Sequence, residues 1–541
     1  MYGLMQDWQL TVDKILDHAR INHPDQEIVS RSVEGPIERI SYRDLFTRAK
    51  QASAALVIDG VKLGDRVATL AWNTARHVEC WYGAMGVGAV LHTLNPRLFP
   101  EQIAYIVQHA EDKILIADLT FVPLLEKLAA HLPSVERYVI LTSAAVMPPT
   151  SLKNAIAYED WIADKPSDIP WGGFDENTAC GLCYTSGTTG NPKGVLYSHR
   201  ANFIHTLLTM QNDVMGLSSR DVIMPVVPMF HANAWGIAFS GPAVGARIVM
   251  PGPKMDGASI FELLEREKVT FTAAVPTVWQ MLLGYLRETG QRPTTLKRVV
   301  IGGAAPPPAV IEAFENDYNI EVIHAWGMTE LSPMGSLGTP TAATAQLPRS
   351  EQMRLKNKQG RPPLGVEMKI IDDQGVELPR DGKTFGRLVV RGAAVARAYF
   401  KGEGGQILDA DGFFDTGDVA TLDGYGFMQI TDRAKDVIKS GGEWISSIEV
   451  ENLAMTHPKV ALAAVIGVPH PKWDERPLLV VELRPGESAD KAEMLRHLDG
   501  KIAKWWMPDD VVFVDKIALG ATGKIDKKLL RAAYRAFPAA I

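Results

Sequence analysis

Residues 184–199 read YTSGTTGNPKGVLYSH. The eleven residues from Thr185 to Val195 hold three glycines, four serine or threonine hydroxyls and one lysine. Glycines let successive backbone N–H groups turn toward one centre, hydroxyls add donors, and a lysine adds positive charge. The run Thr185-Ser186-Gly187-Thr188-Thr189-Gly190, with Lys193 behind it, is therefore built to wrap an anion. It is not a P-loop, which runs GxxxxGK plus Ser or Thr into a helix that starts at the lysine. Here the order is Gly190-Asn191-Pro192-Lys193-Gly194, and the proline disfavours helical geometry at Asn191. Phosphate chemistry of a different kind is expected.

The chain has 541 residues, 46% of them hydrophobic. At about 100–200 residues per domain that means several domains or one multi-lobed body. The net charge of −7, from 56 basic and 63 acidic residues, suits a soluble protein and leaves no basic footprint for nucleic acid. Cys80, Cys180 and Cys183 sit in apolar surroundings. Cys180 and Cys183 form a CxxC with no second pair to complete a zinc site, so they read as core thiols of a reducing cytoplasm. The stretch MYGLMQDWQLTVDK lacks a basic n-region and carries Asp7, unlike a secretory signal. No apolar run reaches ~18 residues, so no transmembrane helix is expected.

Helix and strand patterns alternate through the first two thirds. Ser41 can cap a helix carrying Leu45, Ala49, Ala52 and Leu56 that stops at Gly60. The strand-like VATLAW (67–72), a helix near 77–86, a helix after Pro100 and the strand KILIAD (113–118) follow. Later, IFELLEREK precedes VTFTAAV, and PAVIEAFEND precedes EVIHAWG. Such alternation predicts an α/β fold of helix-covered parallel sheets, with ligands beyond the carboxyl ends of the strands. The last hundred residues change character: ALAAVIGV, LLVVELR and VVFVD read as strands, AEMLRHLDGKIAKW and KKLLRAAYRAF as helices. They make a small α+β unit, with a boundary near TDRAKDVIKSGGEW (431–444). The expected division is 1–432 and 433–541.

TSGTTGNPKG resembles the phosphate loop of the adenylate-forming superfamily, which includes acyl-CoA synthetases, luciferases and peptide-synthetase adenylation domains. AWGMTE (325–330), DTGD (415–418), DRAKD (432–436) and GATGK (520–524) match further signatures in the family's order. The resemblance spans roughly residues 40–530. It implies a large N-terminal domain, a mobile C-terminal lid, and a two-step reaction. A carboxylate attacks the α-phosphorus of ATP, giving acyl-AMP and pyrophosphate. The thiol of coenzyme A then displaces AMP.

Carried over residue by residue, the resemblance gives Glu330 and Thr185 as magnesium ligands, which suits an ion that takes one or two protein oxygens beside phosphates and water. By itself Glu330 reads equally well as a helix-start carboxylate. Thr329 is expected at the α-phosphate. Asp418 and Arg433 are expected at the ribose, where a carboxylate accepts from two hydroxyls. The Asp-rich DADGFFDTGD is no EF-hand, since Gly412 directly follows Asp411 and no closing Glu is present. The adenine pocket is expected between Gly303-Ala304-Ala305-Pro306 and His324-Ala325-Trp326-Gly327. Many members carry Tyr where Trp326 stands; indole stacks as well but loses the phenolic hydroxyl.

Lys524 is the expected bridge between carboxylate and α-phosphate, although Ala518 departs from a common Pro. Lys527 and Lys528 read as surface lysines. Lys435 matches the family hinge. When the lid turns, the stretch from Lys439 to Trp444 would come to the active site for thioester formation, with Gly441 and Gly442 letting the pantetheine thiol pass close to backbone and Trp444 closing over the nucleotide.

On the acyl side, VVPMFHANAWG (226–236) resembles the mouth of the acyl pocket, with His231 near the carboxylate. Alone, that histidine reads better as a core residue. Trp235 matches a tunnel-gating tryptophan, and Val227, Ala232, Trp235, Pro276 and Gly302 are expected as walls. None is charged, so the acid is apolar and an amino acid is disfavoured. AWGMTE, IKSGGEWISS and PHPKWDERP look most like bacterial medium-chain acyl-CoA synthetases and ligases acting on 3-methylmercaptopropionate. Sequence does not separate a thioether tail from butyrate or hexanoate. Adenylation for a carrier protein, a non-catalytic homologue and a luciferase-like oxygenase are the alternatives. Relatives also suggest a homodimer.

Overall fold

The computed structural model describes residues 1, 3–185, 191–433, 436–440, 443–519, 525–535 and 537, with backbone alone for 439, 443 and 444; the statements below refer to these. Ser41 caps as its residue type dictates: its hydroxyl accepts from the N–H of Asp44 at 3.1 Å, and the helix Tyr42–Ile58 turns Leu45, Ala49, Ala52 and Leu56 into the core. Gly60, at φ +83°, ends the segment.

A seven-stranded sheet runs in the spatial order Ala155–Ala157, Arg137–Ile140, Ile114–Ala117, Arg66–Leu70, Val90–Thr93, Ala179–Tyr184, Gly194–Ser198. It is parallel except at its last pair. An eight-stranded sheet runs Met334–Leu337, Glu321–Gly327, Arg298–Ile301, Phe271–Ala274, Val222–Pro225, Arg247–Met250, Glu27–Arg31, Ile37–Ser41. It is parallel through its middle and antiparallel at both ends. The central strands are apolar on both faces, as helix-covered parallel strands must be; Ile114–Ala117 is wholly buried. Helices between the sheets, Ala75–Gly86 among them, join the two in one core.

The sequence pattern missed a four-stranded antiparallel sheet of Val366–Ile371, Gly386–Gly392, Phe414–Leu422 and Met428–Arg433. Its strands are separated by charged, glycine-containing turns that mask the alternation. Beyond it lies a five-stranded sheet built on the long hairpin Val460–His470 and Asp474–Leu483. Asp510–Val514 adds in parallel, and Ile438–Ser440 and Glu443–Ile445 form the other edge.

Two expectations need correction here. The stretch 492–505 is not one helix: Lys491–Leu498 stops before Gly500, at φ +71°, and only a short 3₁₀ turn, Lys504–Trp506, resumes. Lys527 is not a surface lysine. Its side chain is 11% exposed, with Nζ 2.8 Å from Glu451 Oε1 and bonded to Ser447 Oγ. Lys528, the next residue of the same short helix, is exposed as expected. Among the described residues, no helix is long and apolar enough to cross a membrane.

Candidate active site

The carboxyl ends of three strands converge. Tyr184 leads into Thr185, Ile301 into Gly302-Gly303, and Gly327 into Thr329-Glu330. Between them lies a cavity of ≈ 300 Å³. Thr185, Lys193, His231, Ala232, Trp235, Gly302, Gly303, Ala325, Trp326, Gly327, Thr329, Glu330 and Arg433 all line it. One space thus gathers residues scattered over nearly 250 positions.

The segments flanking the phosphate-loop candidate pair as antiparallel strands, and no helix follows directly. Tyr184 pairs with Gly194, and the strand Gly194–Ser198 follows before the helix His199–Met210. The hairpin closes through Thr185 N–H to Lys193 O at 2.9 Å and Lys193 N–H to Thr185 Oγ1 at 3.4 Å. Ser186, Gly187, Thr188, Thr189 and Gly190 lie outside the described residues, as do Lys435, Gly441, Gly442 and Lys524; so do the side chains of Lys439 and Trp444. The flanks of 520–524 are described: Leu519 bridges Ile525, and Asp526 N–H donates to Ala518 O at 2.9 Å.

Glu330 is 6% exposed and lies on a 3₁₀ turn, Thr329–Leu331. Its Oε1 accepts the Tyr399 hydroxyl at 2.6 Å. Tyr197 Oη donates to Thr329 O at 2.7 Å, and Ala396 N–H donates to Glu330 O at 2.7 Å, so the turn's backbone is held from two sides. Lys193 Nζ lies 5.0 Å from the Tyr399 ring centroid.

Asp418 is 2% exposed and faces Arg433 across an antiparallel pair. Its Oδ1 lies 2.8 Å from Arg433 Nε. Its Oδ2 accepts the Trp326 indole N–H at 3.0 Å. The indole therefore supplies a donor at the place where loss of a phenol was the expected consequence. A Cβ on Gly335 would come within 2.2 Å of the Trp326 ring, so only glycine lets the indole lie here.

The segment after His231 has an unusual backbone. Ala232, Asn233, Ala234 and Trp235 have φ of 42°, 53°, 50° and 54°, and Gly236 follows at 77°. Left-handed conformation costs an L-residue about 1–2 kcal/mol, so this turn is strained, as segments at functional sites often are. Asn233 Nδ2 anchors it through a 3.1 Å bond to Asn202 Oδ1. It presents Trp235 to the Gly302 backbone, where a Cβ would lie 3.2 Å from the indole.

Several candidates lie elsewhere. Val227 is a buried core residue, and Pro276 is the buried first residue of the helix Pro276–Thr289. Ala304, Ala305 and Pro306 lie past the rim at Gly303. His324 is 2% exposed and does not line the cavity; burial pushes its pKa down to about 4, and the backbone of 356–358 faces its ring. In place of Val227 and Pro276, the apolar end is lined by Met215, Pro333, Met334 and Leu337. Met215 follows a helix far away in sequence, so no local motif marks it. Tyr399 was missed too, although an aromatic pair followed by Gly402, Gly404 and Gly405 is itself a signal of close backbone packing.

Residues 16–400 match the model of the AMP-binding enzyme family, and residues 449–524 match that of the AMP-binding enzyme C-terminal domain. A 3-methylmercaptopropionyl-CoA ligase of Ruegeria pomeroyi is 50% identical over 535 residues, 99% of each chain. A medium-chain-fatty-acid–CoA ligase of Ectopseudomonas oleovorans is 46% identical, covering 99% of this chain and 98% of its own. Among solved structures, an anthranilate CoA ligase in complex with anthranoyl-AMP superimposes with a TM-score of 0.86 at 25% identity, covering 99% of each chain. The strand ends, their shared cavity and these matches agree: the chain belongs to the AMP-binding enzyme family.

Proposed function

We propose that this protein, an AMP-forming acyl-CoA ligase, activates a short or medium apolar carboxylic acid, 3-methylmercaptopropionate among the candidates. The observation that carries the reading is the mixed lining of one cavity: Thr185, Lys193 and Glu330 share it with Met215, Met334 and Leu337, which belong to one buried apolar cluster. The first set suits the charged phosphates of ATP, the second an uncharged tail. Among the described lining residues the one carboxylate, Glu330, is engaged by the Tyr399 hydroxyl, and no second acidic side chain is there for an amino acid's ammonium group. A thioether is nearly isosteric with a methylene, and methionine walls adapt to either.

In this reading Asp418 and Arg433 hold the ribose hydroxyls, Thr329 donates to the α-phosphate, and His231 orients the acid's carboxylate. Trp326 packs against adenine. Glu330 and Thr185 fit Mg²⁺: together they offer a carboxylate and a hydroxyl oxygen into the cavity, hard donors of the kind that ion takes beside phosphate oxygens. Magnesium would offset phosphate charge there. Lys524 would bridge the carboxylate and the α-phosphate. Residues 433–541 would then turn as a lid about Lys435, exchanging Lys524 for the 439–444 segment as coenzyme A enters. A cytoplasmic location and a homodimer complete the reading; the three buried cysteines and the family resemblance support them.

The test is acid-dependent exchange of labelled pyrophosphate into ATP, with and without coenzyme A. Exchange that needs an apolar acid and Mg²⁺, followed by thioester formation once coenzyme A is added, is the expected result. Exchange without thioester would indicate a carrier-protein acceptor, and absence of exchange with every acid would overturn the reading.

A further inference from the structure

Lys193 and Glu330 carry opposite charges into one cavity. Two such groups, in a space of low dielectric, are drawn to pair directly and so to withdraw from an incoming ligand. One residue touches both. The Tyr399 hydroxyl donates to Glu330 Oε1 at 2.6 Å, while Lys193 Nζ lies 5.0 Å from the ring centroid.

The segment bearing Tyr399 is a strap fastened along its length. Ser332 Oγ donates to Ala394 O at 2.8 Å, and Ala396 N–H donates to Glu330 O at 2.7 Å. A Cβ on Gly194 would lie 3.0 Å from Phe400 Cβ, so the strap lies directly on the hairpin that carries Lys193. Lys401 pairs with Glu111 at 2.7 Å, and Tyr105 Oη donates to Glu403 Oε1 at 3.2 Å. Gly404 has φ +77°, a conformation that favours glycine, and a Cβ there would lie 2.9 Å from Lys193 Nζ, so the strap passes close by the lysine head. The strap is thus tied to both sides of the cavity and places one phenol between them.

We propose that Tyr399 is a positioning residue that keeps Lys193 and Glu330 from pairing and holds the Glu330 carboxylate aimed where a divalent cation would bind. The ring takes the lysine by cation–π attraction, and the hydroxyl fixes one carboxylate oxygen, leaving the other for the ion. The inference rests on the reading of Glu330 as a magnesium ligand.

The test is ATP binding by calorimetry across a Mg²⁺ series, with neither acid nor coenzyme A present, on the wild type and on Tyr399→Phe, Tyr399→Ala and Glu330→Gln. Tyr399→Phe keeps the ring and loses the hydroxyl. Its half-saturating Mg²⁺ concentration is expected to rise about five- to tenfold, with ATP affinity at saturating Mg²⁺ within twofold of wild type and the melting temperature unchanged. Tyr399→Ala, with both contacts gone, is expected to weaken ATP binding at every Mg²⁺ concentration as well. A Tyr399→Phe curve that overlays wild type while Glu330→Gln shifts would overturn the proposal and leave the magnesium reading intact. No shift in Glu330→Gln would instead remove the magnesium reading itself, and the proposal with it. A uniform loss of affinity in Tyr399→Phe, accompanied by a lower melting temperature, would make the residue merely structural and also overturn the proposal.

Discussion

The indole N–H of Trp326 donates to Oδ2 of Asp418 at 3.0 Å, a bond between residues 92 positions apart. It ties a strand of the eight-stranded sheet to the antiparallel sheet beside it, and it leaves Oδ1 to Arg433. One carboxylate is thus oriented by two donors before any ribose arrives.

Removing the first donor should loosen that orientation. Trp326→Phe keeps an aromatic face and loses the N–H. Hydrogen bonds to charged groups contribute about 1.5–3 kcal/mol, so the KM for ATP should rise about tenfold, while the preference among acids stays as it was. Steady-state kinetics with two acids checks both halves.

The apolar lining residues set tail length in this account. Met334, 7% exposed, borders the cavity beside Leu337. Met334→Ala should shift the preferred acid toward tails one or two carbons longer. Each extra buried methylene contributes about 0.8 kcal/mol, or about fourfold in kcat/KM. A chain-length profile of the variant against wild type reads this directly.

Acid should destabilise the fold through its buried histidines. Burial lowers the pKa of His205 and of His324 to about 4 each, from 6.5. The folded state therefore holds them neutral while the unfolded chain protonates them below pH 6.5. Their contribution is complete above 6.5 and is lost as pH falls toward 4, at up to about 1.4 kcal/mol per histidine per pH unit. Melting temperature should drop through that window, and His324→Gln should flatten the slope.

Lys527 should matter to stability. Its ammonium answers Glu451, which is 7% exposed and also accepts from Val465 N–H at 2.7 Å. Breaking a buried pair from one side costs about 3–5 kcal/mol, so Lys527→Met should lower the melting transition of the C-terminal part. The double change Lys527→Met with Glu451→Leu should restore much of it. Calorimetry of the three variants is the check.

Asp418 and Glu330 were singled out because each stands in one short run, DTGD and MTE, and the structure buries both. What escaped was assembled across the chain. Met215 comes from a loop more than 100 positions before Met334, and nothing local marks either as a wall. Tyr399 acts through contacts with Glu330 and Lys193, which lie in connections of two different sheets. Lys527 looked exposed because its neighbours in KIDKK are charged, yet a carboxylate 76 positions earlier draws it inward. The alternating segments were read as elements because parallel strands and their helices keep long, clean periods. The sheet of 366–433 was not, since its register shifts between Val419 and Ala420 and its turns are charged.

The most direct measurement is coenzyme A-dependent AMP release with ATP and Mg²⁺ over acids from acetate to laurate, including 3-methylmercaptopropionate. A maximum at a short or medium apolar tail, abolished in Lys524→Ala, is the predicted result. No AMP from any acid, or equal release from charged and apolar acids, would contradict the account.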